Sequence, residues 1–188
     1  MTLPNKLTSA RTALTPFFIA ALLIPFDNHW LWSCLIFSAA SLTDMLDGRI
    51  ARSQGIVTTF GKFLDPLADK ILVTSAFIGL AALGLAHPVV AIIAVVRDYV
   101  VSAVRMLAAS GEGKIIAANI WGKIKTALSM IIIVGVQAAM FFAEKLGGRA
   151  VEIVSQCSNV AMWILAVITA LSGIVYVVQN KSLFGEFK

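Results

Sequence analysis

Long uncharged stretches limit what this chain can fold into. No Asp, Glu, Lys or Arg occurs between Ile71 and Val96, and other apolar runs fill most of the remaining sequence. Of the 188 residues, 59% are hydrophobic and 13% are charged, and the mean hydropathy is +0.90. A soluble domain of this length could not bury so much apolar surface. The sequence therefore predicts an all-α integral membrane protein that forms a single domain over residues 1–188.

The apolar runs divide into six predicted transmembrane helices. The first covers residues 13–25 and is lengthened by about one preceding turn, and the others cover about 30–52, 61–84, 88–109, 116–142 and 151–178. The segment from Met1 to Thr12 is polar and basic with a weak apolar face, which predicts a short juxtamembrane helix at the interface. Cys34 and Cys157 lie in apolar runs, so we expect buried thiols rather than a disulfide or a metal site.

The uncharged stretch from Ile71 to Val96 fits either one long helix or two helices joined by a turn. Gly84 and the His87-Pro88 pair favour a turn. With a turn there, nearly all Lys and Arg residues fall on one side of the membrane, and Lys145 and Arg149 fall on the other. The positive-inside rule then predicts a multi-pass protein of the cytoplasmic membrane, with both termini in the cytoplasm.

Four of the ten acidic residues lie between positions 44 and 69. Asp44 and Asp47 are spaced i, i+3, and Asp65 and Asp69 are spaced i, i+4, so each pair shares one face of a helix. A polar, glycine-containing connector between the pairs would bring the two helices side by side. Four carboxylates at membrane depth repel one another and need a cation among them. Hard oxygen ligands of this kind suit Mg²⁺ or Mn²⁺, and two such ions shared by four carboxylates are typical of phosphoryl chemistry.

Each carboxylate alone also has a purely structural interpretation. Asp65 before Pro66 fits a helix N-cap, and Asp44 with Arg49, or Asp47 with Arg52, fits an interfacial ion pair. The spacing of all four together favours the metal site.

The same stretch resembles the signature of the CDP-alcohol phosphatidyltransferase family at each of its fixed positions. The matching residues are, in order, Asp44, Asp47, Gly48, Ala51, Arg52, Gly61, Asp65 and Asp69. The resemblance implies a six-helix membrane enzyme, usually a homodimer, that transfers a phosphatidyl group from a CDP-linked lipid to an alcohol and releases CMP. It also implies that the four aspartates bind the metal ions, with Asp69 as the base. Gly48, Ala51, Arg52 and Gly61 would line the cytidine-diphosphate pocket, and the small residues among them would let the nucleotide approach the backbone.

Other polar residues indicate which alcohol accepts the group. Asn5 and Thr8 resemble an N-terminal motif beside the nucleotide site in the family members that use glycerol 3-phosphate, the phosphatidylglycerophosphate synthases. A solvated helix face is the alternative for this polar stripe.

Basic residues at membrane depth point to the same acceptor. Arg97 and Arg105, with Lys123 and Lys125, could bind its phosphate. Lys123 and Lys125 point about 200° apart on a helix, so we expect only one of them to face the site. A structural ion pair with Asp98 is the alternative for Arg97 and Arg105, and Asp98 itself departs from the glutamate of those relatives.

We therefore expect CDP-diacylglycerol, glycerol 3-phosphate and the lipid bilayer as partners. Phosphatidylglycerol, giving cardiolipin, and inositol phosphate are alternative acceptors. A cation transporter is a more remote alternative, because no carboxylate continues the path to the outer face. The net charge of +5 is spread along the chain without an aromatic and basic patch, which argues against nucleic acid as a partner.

Overall fold

The computed structural model describes residues 3–54, 59–110 and 120–180, and within them the side chains of residues 10–43, 70–106 and 122–180. The described residues form six helices and no strand. The helices are α1 (Leu3–Leu23), α2 (His29–Gln54), α3 (Thr59–Ala82), α4 (Pro88–Ser110), α5 (Ile120–Leu146) and α6 (Gly148–Gln179). The predicted all-α class is confirmed.

Short turns with special backbone geometry separate α1 from α2, α3 from α4, and α5 from α6. Asn28 has φ 60°, Gly84 has φ 74° and Gly147 has φ 104°. Glycine adopts positive φ without a steric penalty, so it ends a helix readily. Pro88 then opens α4, where its missing N–H costs no hydrogen bond. The predicted turn between Gly84 and Pro88 is confirmed.

One predicted boundary is wrong. The sequence was expected to form a juxtamembrane helix over residues 1–12 that is distinct from the first span, but α1 runs from Leu3 to Leu23 without a break at Thr12. No helix-breaking residue lies between the two segments, and even Pro16 stays inside the helix. Both cysteines are free thiols, and Cys34 is half-buried while Cys157 is exposed, so the expectation of buried thiols is wrong for Cys157.

The helices pack as a closed ring. α1 contacts α2 and α3, α3 contacts α4, α4 contacts α6, α6 contacts α5, and α5 returns to α2. Phe18, Phe37 and Phe77 are fully buried between them, and the rings of Phe18 and Phe37 are 5.3 Å apart. The outer surface carries large apolar side chains such as Ile92 and Ile164, as expected where a helix contacts lipid.

Two of the described segments are long and apolar enough to cross a membrane, Gly122–Leu146 and Gly148–Gln179. Ala10–Leu23 and Lys70–Ala82 are apolar but shorter. α4 carries three charged residues, which lowers its hydropathy. The count of six spans therefore stays a prediction.

The three turns meet at one end of the ring. Ser158 Oγ donates to Leu85 O at 2.6 Å, and Asn159 Nδ2 donates to Gly84 O at 2.9 Å, which joins the N-terminal half of α6 to the α3–α4 turn. Trp30 Nε1 donates to Glu144 Oε1 at 2.7 Å, which joins the start of α2 to the end of α5. The candidate site lies toward the opposite end of the ring.

Candidate active site

The four aspartates occupy neighbouring ends of two helices. Asp44 and Asp47 lie in the C-terminal part of α2, and Asp65 and Asp69 lie in the N-terminal part of α3. Their side chains lie outside the described set, and the metal site stays a prediction. The same holds for the predicted nucleotide-binding residues Asn5, Thr8, Gly48, Ala51, Arg52 and Gly61.

Helical register connects these positions to a cavity. Ser41 of α2 lines the cavity, and Asp44 follows it by three residues. Val73 of α3 also lines it, and Asp69 precedes it by four residues. Residues three or four apart lie on the same helix face. The aspartate positions therefore continue the two helix faces that line the cavity.

The cavity has a volume of about 1120 Å³ and lies between α2, α3, α4 and α5. Its described lining includes one acidic side chain, Asp98, and five basic ones, which are Lys70, Arg97, Arg105, Lys123 and Lys125. Along α5 the lining changes from polar residues near Gly122 to apolar residues near Val134. A cavity with this excess of positive charge is suited to an anion.

Asp98 holds two of the basic side chains. Lys125 Nζ donates to Asp98 Oδ1 at 3.0 Å and to Oδ2 at 2.9 Å. Arg97 Nη1 donates to Asp98 Oδ1 at 3.0 Å. Lys125 is only 2% exposed, and a charge so deeply buried needs an opposite charge beside it. The three groups together carry one net positive charge.

Residues of α6 contact both arginines of α4. Arg97 Nε donates to Ser172 Oγ at 3.1 Å. Arg105 Nε donates to the Tyr176 hydroxyl at 3.3 Å, and the Arg105 guanidinium carbon lies 5.7 Å from the centre of the Tyr176 ring. At this distance the cation also interacts with the ring face. α6 therefore forms a wall behind the basic residues of α4.

A serine connects α3 to the same network. Ser102 Oγ donates to Asp98 O at 2.7 Å and accepts a hydrogen bond from Lys70 Nζ. Lys70 directly follows Asp69 in the chain. It therefore brings a positive charge between the cavity and the aspartate positions.

The structure brings all four predicted acceptor residues to one cavity, Arg97, Arg105, Lys123 and Lys125. Lys125 is buried and Lys123 is exposed, but both line the cavity, contrary to the expectation that only one of the two lysines faces it. Arg97 makes the ion pair with Asp98 that the sequence left open as an alternative. Phosphate binding by the four residues stays a prediction.

Sequence reasoning missed Lys70, Ser102, Ser172 and Tyr176. Lys70 directly follows Asp69, and this position could have indicated that it belongs to the site. Ser172 and Tyr176 lie with Thr169 on one face of α6, spaced three and four residues apart in an apolar run, and this spacing was the available signal.

No group of three or more His, Cys, Asp or Glu side chains comes together among the side chains that the structure describes. A divalent ion would therefore depend on the four aspartates of α2 and α3. Their carboxylates would supply hard oxygen donors from two helices, a donor set that fits Mg²⁺ or Mn²⁺.

Comparison with known proteins identifies similar chains. A family model described as CDP-alcohol phosphatidyltransferase matches residues 1–176. A protein of Bacillus subtilis (strain 168) named CDP-diacylglycerol–glycerol-3-phosphate 3-phosphatidyltransferase is 39% identical over 193 residues, which cover 95% of this chain and 94% of the relative. The proteins of the same name from Rickettsia bellii (32% over 182 residues, 97% of both chains) and Haemophilus influenzae (39% over 140 residues, 71% of this chain and 74% of the relative) are also similar.

Proposed function

Because the chain belongs to the CDP-alcohol phosphatidyltransferase family, we propose that it transfers a phosphatidyl group from CDP-diacylglycerol to glycerol 3-phosphate, giving phosphatidylglycerophosphate and CMP. The proposal rests mainly on the similarity to relatives named CDP-diacylglycerol–glycerol-3-phosphate 3-phosphatidyltransferase, which extends over nearly the whole length of both chains. The basic cavity beside the aspartate positions supplies a site for the phosphorylated acceptor.

The acceptor phosphate binds to the basic side chains of the cavity. Glycerol 3-phosphate carries a dianionic phosphate near neutral pH, which needs about two cations. Arg97 and Lys125 share Asp98, so they contribute one net positive charge, while Arg105 and Lys123 contribute one each. The guanidinium groups can bind two phosphate oxygens at once, and this fixes the orientation of the acceptor.

The aspartates form the reaction centre in this proposal. The residues that would hold two ions of Mg²⁺ or Mn²⁺ are Asp44, Asp47, Asp65 and Asp69. Bound divalent ions would neutralise the diphosphate and stabilise the charge on the departing CMP. Asp69 takes the proton of the acceptor hydroxyl, whose oxygen bonds to the phosphatidyl phosphorus as the bond from that phosphorus to the CMP oxygen breaks.

The nucleotide lies beside the aspartates and near the N-terminal part of α1. Its binding residues in this proposal are Asn5, Thr8, Gly48, Ala51, Arg52 and Gly61. Glycine and alanine leave space at the backbone for the cytidine and its diphosphate.

The chain is a membrane protein, and we place all six helices across the cytoplasmic membrane as part of the same proposal. The large apolar side chains on the outer surface of the ring support this arrangement. Both termini and the reaction centre then face the cytoplasm, where the water-soluble acceptor is available. The family resemblance further favours a homodimer.

The direct test offers three acceptors in parallel. Purified protein in lipid is given CDP-diacylglycerol and Mg²⁺ or Mn²⁺, together with glycerol 3-phosphate, inositol phosphate or phosphatidylglycerol, and both CMP and the lipid product are measured. We expect CMP release and phosphatidylglycerophosphate with glycerol 3-phosphate. CMP release with only one of the other acceptors would contradict the proposal.

A pair of arginine variants locates the acceptor. Arg105→Ala removes a charge from the cavity, and Arg149→Ala removes one at the opposite end of the ring. We expect a KM for glycerol 3-phosphate raised by at least about tenfold in the first variant and unchanged in the second. Equal KM values in the two variants would place the acceptor elsewhere.

The excess of basic side chains also argues against the alternative of a cation transporter. These side chains would repel a cation that moved through the cavity. Uptake of the metal ion into vesicles without any CMP release would reverse this choice.

A further inference from the structure

The C-terminal part of α6 does not line the acceptor cavity, but it contacts residues of α4 that do. Ser172 and Tyr176 are both 3% exposed, and neither is among the residues that line the cavity. They are four residues apart, so they share one face of α6, and this face packs against α4. Each contacts an arginine that does line the cavity.

Arg97 and Arg105 are each held through the Nε atom of the guanidinium group. The bond from Arg97 to Ser172 and the bond from Arg105 to Tyr176 each use Nε. Nε lies at the inner edge of the guanidinium group, so both contacts leave the terminal Nη groups available for other partners. Arg97 uses Nη1 on Asp98.

Tyr176 restrains Arg105 in two ways, because its hydroxyl accepts the Nε hydrogen bond and its ring lies 5.7 Å from the guanidinium carbon. A long arginine side chain has many rotamers, and ordering it costs free energy when a ligand binds. A contact that orders the side chain beforehand removes part of this cost and strengthens binding.

We propose that Tyr176 is a positioning residue of the acceptor site, which fixes the Arg105 guanidinium group so that its Nη groups receive the acceptor phosphate, and that Ser172 does the same for Arg97. The inference rests on the proposed function, since it assigns a role to the residues behind the same site. Tyr176 acts through Arg105 and makes no contact with the substrate.

The test uses conservative variants. Tyr176→Phe keeps the ring, which packs with Val101 and Val104, and removes only the hydroxyl. Tyr176→Leu removes the ring as well. Tyr99→Phe is the matched control, because Tyr99 lies on α4 and is 62% exposed. Initial rates of CMP release are measured while the acceptor and CDP-diacylglycerol are varied separately.

We expect the KM for the acceptor to rise about fivefold in Tyr176→Phe and about thirtyfold in Tyr176→Leu, with the KM for CDP-diacylglycerol unchanged. Turnover at saturating acceptor stays close to that of the unchanged protein, because the lost contribution is to binding. Tyr99→Phe leaves both KM values unchanged. A general disturbance of folding would instead affect both substrates alike.

A second measurement does not depend on catalysis. Phenylglyoxal reacts with arginine side chains, and peptide mass spectrometry gives the rate at Arg105, with Arg149 as the internal reference. We expect faster labelling of Arg105 in Tyr176→Phe, and faster still in Tyr176→Leu, because the guanidinium group is released from the ring and the hydroxyl.

An acceptor KM that is unchanged in Tyr176→Phe, or one that rises together with the KM for CDP-diacylglycerol, overturns the inference. So does unchanged labelling of Arg105 in both variants. If the unchanged protein uses an acceptor other than glycerol 3-phosphate, the proposed function fails. The role of Tyr176 is then decided by the KM values of the variants for that other acceptor, together with the labelling rates of Arg105.

Discussion

The Lys125 ammonium group lies between the two oxygens of Asp98, and Lys125 is almost completely buried. A buried lysine keeps its charge only if a partner compensates for lost hydration. Asp98 also accepts from Arg97, so one carboxylate supports two cations. The charge balance of the cavity therefore depends strongly on this residue.

Asp98→Asn should destabilise the protein. The change leaves Lys125 buried without its carboxylate, which costs about 3 to 5 kcal/mol when one partner of a buried pair is removed. The measurement is the free energy of unfolding in detergent for Asp98→Asn, Lys125→Met and the double variant. We expect the double variant to lose less stability than the sum of the two single variants. Strict additivity would show that the two side chains are not coupled.

The aspartates of α2 and α3 are the proposed metal ligands, and removing any one of them should stop the reaction. Asp44→Ala, Asp47→Ala or Asp65→Ala should abolish CMP release while the protein stays folded, because each removes a proposed metal ligand. Asp27→Ala is the control, since Asp27 is an exposed aspartate at the opposite end of the ring. Elution on size exclusion and metal-dependent turnover are compared. Near-normal turnover in any of the first three variants would contradict the proposed metal site.

Among the individual residues, the sequence predicted some orientations and could not predict others. Helical periodicity predicts different directions for Lys123 and Lys125, and the structure buries only Lys125, although both side chains line the cavity. The contact between Arg105 and Tyr176 joins residues 71 positions apart. It depends on α6 packing against α4, and the spacing of Ser172 and Tyr176 on one face of α6 does not by itself indicate which helix packs there.

Between elements, the packing of α4 against α6 sets the position of Arg97. A Cβ atom added at Gly173 would lie 2.9 Å from Arg97 Cγ, which is closer than real Cβ contacts. Only glycine at this position lets the arginine stem pass beside α6. The bond from Arg97 to Ser172, the preceding residue of α6, depends on the same close approach.

Gly173→Ala should therefore disturb the site from the side of α6. We expect a loss of about 1 to 3 kcal/mol in stability and a higher KM for the acceptor, because Arg97 is displaced. Gly148→Ala is the matched control in the same helix, where an added Cβ meets nothing within 4 Å. Thermal unfolding and acceptor KM are measured for both. Equal behaviour of the two variants would show that the close approach at Gly173 is unimportant.

The helices themselves were largely predictable, because apolar runs and turn residues determine them locally. As the sequence indicated, α3 ends just before Gly84 and α4 begins at Pro88. The separate juxtamembrane helix expected over residues 1–12 was wrong, because a change from polar to apolar residues does not end a helix when the backbone can continue its hydrogen bonds.

For the whole molecule, the ring has two chemically different ends. The turns at one end carry both signs of charge, with Asp27, Glu144, Lys145, Arg149 and Glu152 close to them. The basic residues of the aspartate stretch, such as Arg49 and Arg52, belong to the other end. A membrane protein places its basic end in the cytoplasm. The reaction centre then opens on the side where the soluble acceptor is present.

This orientation predicts which positions a membrane-impermeant maleimide can reach from outside. Gly148→Cys, at the start of α6, should be labelled in intact spheroplasts, and Gly113→Cys, in the sequence after α4, only after they are permeabilised. Both are made with Cys34→Ser and Cys157→Ser, because Cys157 is exposed and would itself react if it were accessible. The reverse pattern would place the basic end outside. The cavity would then face away from the cytoplasmic pool of phosphorylated alcohols, and the proposed acceptor would have no route to it.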